Sequence, residues 1–297
     1  MNLELYEKLL KKTASKYSFK KISNTLNELE LLEKDKLVCF LRHDIDFSPV
    51  NAARMAALEK QLGICSTYTV LLSGVYYNPF EKHVQKLIKE IKSYGHEVGL
   101  HFDPTVYDIS DEASLAEHIK KEASALETLV STPISMFSFH NTTEFSMNCR
   151  KREYGGLLNA YSNFFHNDVE YTSDSNGYWR FRSWDQLLSE NHKVIQVLIH
   201  PIWWGPKNGL PPFETVVKNL IERFDFGLDK HLGLFSGQDV RINKSSLDEL
   251  LVKLDKINDP KILGSYAKLT SLADILRSNE NEGLSSRLHE IIRDLKL

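Results

Sequence analysis

Two hydrophobic periods alternate along this chain. "MNLELYEKLLKK" puts Leu3, Tyr6, Leu9 and Leu10 on one helical face. Residues 37–41 then form an apolar run of strand length. "SPVNAARMAALEKQLG" returns to the helical period, with Ser48 as N-cap, Pro49 at the first helical position and Gly63 as a stop. Its Met55, Leu58 and Leu62 share a face. "ICSTYTVLL" (64–72) is β-rich, and residues 81–94 set Val84, Leu87, Ile88 and Ile91 at helical spacing. "HEVGLHF" (96–102) predicts another strand, and residues 111–130 a helix with Leu115, Ile119, Leu126 and Val130 inward. "ISMFSFH" (134–140) and "VIQVLIH" (194–200) complete the clear strands.

Strands alternating with helices predict βαβ units around a parallel sheet. Between 150 and 190 the pattern loosens into aromatic, strand-like pieces ("AYSNFF", "YWRFR") and a short helix near "SWDQLLSE". Residues 213–224 predict an amphipathic helix. The organisation expected is an α/β barrel over residues 1–230 and a mainly helical C-terminal appendage over 231–297, where "SSLDELLVKLDKI" is best patterned.

Composition narrows the possibilities. The 297 residues suffice for a sizeable core, and 42% apolar with 26% charged residues is ordinary for a globular protein. A net charge of −3 gives no basic footprint for nucleic acid. No stretch is long and apolar enough to span a bilayer. The N-terminus lacks the apolar core of a signal peptide, so a cytoplasmic location is expected. Cys39, Cys65 and Cys149 are an odd number without paired spacing, which argues against a disulfide framework.

The chemistry lies in where the histidines fall. Of 11, four sit at or just past the end of an aliphatic strand: His43, His101, His140 and His200. In parallel α/β folds these strand ends gather on one face, which holds the active site. Asp44 and Asp46 arrive there from the first strand. Alone, "DID" is a turn with a solvated acidic tip. Joined by imidazoles from three other strands, it becomes a carboxylate–histidine set suited to Zn²⁺ or another divalent ion, with a second carboxylate as general base. His96 precedes its strand's apolar stretch and is expected to make a structural hydrogen bond; His83 and His118 read as solvated helix faces.

"RHDID", "GHEVGLHFD", "SFHN", "SDSNGYWR" and "VLIHP" occur in the order of the five motifs of the polysaccharide deacetylases, the NodB-homology or carbohydrate esterase family 4 group. The resemblance covers roughly residues 36–205. It implies a distorted (β/α)₇ barrel, here with N- and C-terminal helical additions, that removes acyl groups from sugars with a divalent metal. It implies Asp44 as base, Asp46 and His101 as metal ligands, and His200 as general acid. Trp179 and Arg180 fall in the fourth motif, which lines the pocket and orients the base.

Two departures stand out. The family's second metal histidine lies four residues after the first, a position held here by Thr105. The third motif presents His140 and Asn141 in place of arginine and tyrosine. Joining them, the expected ligand set is Asp46, His101 and His140, with Asp103 in reserve. Tyr68 or a backbone N–H is expected to hold the oxyanion. Trp203 and Trp204 offer either stacking faces for a sugar or base, or packing at the barrel mouth. Asn141, Trp179, Arg180, Trp203 and Trp204 form the expected substrate-binding group.

The activity implied is removal of an N-acetyl or N-formyl group from a sugar. With a cytoplasmic location, a nucleotide- or lipid-linked intermediate of surface-polysaccharide (lipopolysaccharide) biosynthesis fits better than finished polymer. The alternatives are a deacetylase-like glycan- or nucleotide-sugar-binding protein, or a hydrolase of a non-sugar amide, imide or O-acetyl ester.

Overall fold

The computed structural model describes residues 1–27 and 37–205, with positions 211, 212, 215, 216, 219 and 220 beyond them. Most of the helix expected at 213–224, and the whole appendage expected at 231–297, lie outside the described residues. One compact unit spans Met1–Thr215.

Helix α1 (Leu3–Ala14) and the short strand β1 (Tyr17–Lys20) open the chain. There follow β2 (Leu37–Ile45), α2 (Pro49–Gln61), β3 (Thr67–Leu71), α3 (Lys82–Ser93), β4 (Glu97–Phe102), α4 (Glu112–Val130) and β5 (Met136–Phe139). The helix signals act as expected. Ser48 caps α2 by accepting from the Asn51 N–H. Asp111, unread in the sequence, caps α4 by accepting from the Ser114 N–H. Gly63 ends the α2 turn at φ +70°, a left-handed conformation that favours glycine.

After β5 come α5 (Glu144–Asn148), β6 (Glu153–Tyr154), β7 (Leu157–Asn159), α6 (Asn163–Asn167), β8 (Glu170–Ser173), α7 (Trp184–Ser189) and β9 (Val194–Ile199). Here the sequence expectation needs correction. "AYSNFF" is not a strand: its aromatics enter a turn and α6, where Phe164 and Phe165 pack edge-on against Phe40. "YWRFR" forms neither strand nor helix. The strands of this region are β6, β7 and β8, which are two to four residues long. That is too short to carry a period.

The sheet order is β6-β7-β5-β4-β3-β2-β9-β8. From β7 to β8 every ladder is parallel, which makes seven parallel strands; β6 runs antiparallel to β7. β1 pairs with the first half of β2, and β3 takes over that edge from Arg42 onward. Among the described residues no ladder joins β8 back to β7. The result is the seven-stranded β/α fold expected, left open along one seam.

The sheet curls enough for its inner face to meet itself. Phe40 of β2, Met136 of β5, Leu158 of β7 and Val194 of β9 share one buried cluster with Phe164 and Phe165. Outward residues of β2, β9, β5 and β4 (Leu41, Val197, Phe137, Leu100) pack in two other clusters containing the helices' apolar faces. Strands buried on both faces read as continuous apolar runs, which explains why β2, β4 and β9 were legible. Gly99 points inward on β4, where an added Cβ would lie 1.9 Å from Met136 Sδ. No helix among the described residues is long and apolar enough to cross a membrane.

Candidate functional site

Alternation along each strand decides which residues meet inside the curl. On β2 the inward positions are Val38, Phe40, Arg42 and Asp44. Register pairs Asp44 with Thr69 and His101 with Ser138. His140 and His200 follow the last residues of β5 and β9, and Asp46 follows β2.

One ligand atom each from Asp46, His101 and His140 lies within 4.8 Å of the other two. His101 Nε2 stands 3.1 Å from Asp46 Oδ1 and 3.2 Å from His140 Nδ1, which is itself 3.5 Å from Asp46 Oδ1. The His140 backbone N–H donates to the Phe102 carbonyl, fixing the loop that carries it. Burial lowers the His140 pKa, favouring the neutral imidazole that a metal needs.

A run of hydroxyls supports the tautomer of His101. The Thr69 hydroxyl donates to Asp44 Oδ1 at 2.7 Å. Ser138 Oγ can then donate to Thr69 Oγ1 at 3.2 Å, and accept from His101 Nδ1 at 2.7 Å. This leaves the Nε2 lone pair of His101 facing Asp46 Oδ1 and His140 Nδ1. That buried oxygen has no hydrogen-bond partner among the described residues. Acceptors converging in a buried place fit a divalent cation. Asp103 is engaged elsewhere: Oδ1 accepts from the Thr105 N–H and hydroxyl, and Oδ2 from Asn141 Nδ2 at 2.9 Å.

Asp44 stands beside this trio, its Oδ2 3.7 Å from His101 Nε2. Arg42 clasps it, with Nη2 3.1 Å from Oδ2 and Nε 3.1 Å from Oδ1. Burial works to raise the Asp44 pKa, but Arg42, His101, His200 and the Thr69 hydroxyl outweigh it and hold the carboxyl well below the ordinary range. His200 faces the site from the other side, with Nε2 3.8 Å from Asp46 Oδ2. Its Nδ1 lies 2.7 Å from Asp174 Oδ1. Burial opposes its charge, yet the hydrogen bond and charge of Asp174, with Asp46 and Asp44 behind, lift its pKa to about 9.

Three expectations change here. Tyr68 cannot hold an oxyanion at this site. Because Thr69 points inward, its neighbour points outward, and the Tyr68 hydroxyl donates to Glu59 beneath the sheet. Trp204 is fully buried against Tyr6 and Trp179, with its indole N–H donating to Asp174 Oδ2 at 2.6 Å. It packs and positions rather than stacking on a ligand. The side chain that orients Asp44 is Arg42, not Arg180, whose exposed side chain lines a neighbouring cavity. Trp179 and Trp203 are half-buried, and Asn141 is exposed at φ +45°. Sequence reasoning missed Arg42, Thr69, Ser138 and Asp174. Arg42 and Asp174 sat unread inside the quoted motifs "RHDID" and "SDSNGYWR".

Beneath β2 lies a second polar cluster. Glu59 of α2 is fully buried. It accepts hydrogen bonds from the Tyr6, Tyr68 and Ser66 hydroxyls, and its Oε1 is 2.9 Å from His43 Nε2. His96 stands beside it, donating from Nε2 to the Ala56 carbonyl at 3.0 Å, the kind of structural bond expected of it. Burial opposes the Glu59 charge, but His43 prevails with help from His96 and Ser66, drawing its pKa down to about 2.

No family model matches the chain, and no curated protein does. Solved structures with a similar fold include a family 4 acetyl xylan esterase from Clostridium thermocellum in complex with a cobalt ion. It is 14% identical over 63% of this chain and 83% of that one, with a TM-score of 0.35. The Streptococcus pyogenes deacetylase PplD in complex with acetate is 14% identical over 73% and 86%, with a TM-score of 0.39. A family 4 pseudoenzyme from Bacillus anthracis is 9% identical over 65% and 62%, with a TM-score of 0.30. Likeness at this level adds nothing to what strand order and side-chain geometry establish.

Proposed function

We propose that this chain is a metal-dependent hydrolase, a divergent relative of the polysaccharide deacetylases, that removes an N-acetyl or N-formyl group from a sugar. The substrate class we favour is a nucleotide- or lipid-linked intermediate of surface-polysaccharide (lipopolysaccharide) biosynthesis. The observation that carries the activity is the pairing of an unsatisfied carboxylate–imidazole trio (Asp46, His101, His140) with a held base and a charged acid on opposite sides.

Asp46, His101 and His140 would hold a divalent ion, zinc by their ligand types, which would supply Lewis-acid polarisation of the acyl group and a more acidic water. Asp44, kept ionised and aimed by Arg42, accepts the proton of the attacking water. His200 holds a proton at neutral pH. Its Nδ1–H is engaged by Asp174, so the proton free to move is on Nε2, facing the site. That proton goes to the departing amine nitrogen as the C–N bond breaks. Trp204 and the His200 backbone N–H hold the two oxygens of Asp174, so the acid keeps its aim while its charge changes.

The test is metal removal. Protein stripped by a chelator should release no acetate or formate from N-acyl amino sugars, and should recover activity with about one equivalent of zinc. Equal activity with and without metal would overturn the reading, as would a purified protein that binds no divalent ion.

A further inference from the structure

The open seam between β7 and β8 is not filled. A cavity of about 330 Å³ lies there, within the range of small-ligand sites. Its inner wall is Arg42, the same guanidinium that clasps Asp44, so it adjoins the candidate site. Its outer walls bring Arg150, Arg180 and His166, while among the described residues no aspartate or glutamate lines it. Arg42 is neutralised by Asp44. Arg150 and Arg180 pair with no carboxylate among the described residues; Arg150 Nη1 donates to the Tyr161 carbonyl at 3.3 Å.

A second observation points the same way. Gln196 lies inward on β9, is 2% exposed and lines the cavity. Its Nε2 has no hydrogen-bond partner among the described residues. A buried amide donor without an acceptor is costly unless something accepts from it. Guanidinium forks with an unused amide donor match a planar or tetrahedral oxyanion.

We propose that this cavity binds a negatively charged group, a carboxylate or a phosphate, carried by the sugar that is deacylated beside Asp46. The proposal rests on the deacylase reading above and adds a charge requirement to its substrate. A neutral N-acyl sugar leaves the arginines and Gln196 unmatched. A sugar acid or sugar phosphate fills them and is held with its acyl group one side chain away from the base.

Calorimetry on the full, zinc-loaded chain tests it with three probes: N-acetylglucosamine, its 6-phosphate and its 6-carboxylate. At least one charged probe should bind about tenfold or more tightly than the neutral one, the worth of one charge-assisted contact. Which one does so tells phosphate from carboxylate. Added salt should shrink the preference, Arg150→Gln should reduce it to within about twofold, and Arg150→Lys should keep part of it. Thermal melts check that both variants fold. Equal binding of neutral and charged probes, no binding of either charged probe, or a full preference surviving in Arg150→Gln would overturn the proposal. Acyl release is measured on the same probes. A charge preference without release would overturn deacylation and leave anion binding standing; release without a charge preference would do the reverse.

Discussion

On the outer face of β2, Glu59 gathers His43, two tyrosines and a serine, with His96 beside them. On the inner face, Asp46 meets His101 and His140. Both sites are a carboxylate with imidazoles, and both are set by a strand one residue thick. On the outer face, three hydroxyls and an imidazole satisfy the carboxylate, and helices α1 and α2 close over it. On the inner face Asp46 Oδ1 has no hydrogen-bond partner among the described residues while two imidazoles stand within 3.5 Å of it, and His140 is only half-buried. Residue types do not separate a structural cluster from a site that can take a ligand. What separates them is whether the acceptors have been used up.

The largest effects should split along this line. Asp44→Asn should lower kcat of the folded, metal-loaded protein by ~10²–10⁴-fold, and should also lower the melting temperature because buried Arg42 loses its charge partner. A variant that turns over normally removes Asp44 from the base role. Glu59→Gln should lose ~3–5 kcal/mol of stability to denaturant, because His43 loses its buried partner, but should leave kcat and metal stoichiometry of the folded fraction unchanged. Its pH dependence has a sign. Glu59 is depressed from the usual 4.5 to about 2, so its contribution is full above pH 4.5 and is lost as pH falls toward 2. The stability gap between wild type and Glu59→Gln should therefore narrow across that window; a constant gap would deny Glu59 its charge.

His140→Ala comes next. It should weaken zinc binding by more than the ~10–100-fold typical of losing an outer partner. Full occupancy at equal metal would return the third ligand to the open question that Asp103 represents. The smallest effect should be that of Asp174→Asn. His200 acts as an acid only while protonated, so the wild-type alkaline limb of kcat/KM should fall near pH 9. In the variant it should move down toward the ordinary histidine value of roughly 6.5, with little change below it. A limb that stays in place would mean that Asp174 does not set the charge of His200.

Much of the fold was legible because its central strands are apolar throughout and its helices carry clear caps. Ser48 and Gly63 marked the ends of α2 from sequence alone. The seam was not legible: β6 and β8 are too short to show a period, and the aromatics of "AYSNFF" are apolar because they plug the interior, not because they alternate. In the site, the residues that end strands could be gathered by topology alone. Their supports could not, since Thr69 and Ser138 matter only through the register that sets them opposite Asp44 and His101. Tyr68 and Trp204 were misplaced for the same reason: sequence gave their neighbourhood but not their face.

The alternation of β2 also bears on folding fidelity. A slip by one residue would turn Asp44, and Arg42 with it, out toward the face of Glu59 and bring His43 inward, undoing the polar pairing on both faces at once. Many sheets are guarded against misalignment by an apolar pattern that a slip merely exposes. Here a misaligned middle strand also parts Asp44 from Thr69 and His43 from Glu59, so buried polar groups lose their partners before the helices can close over it.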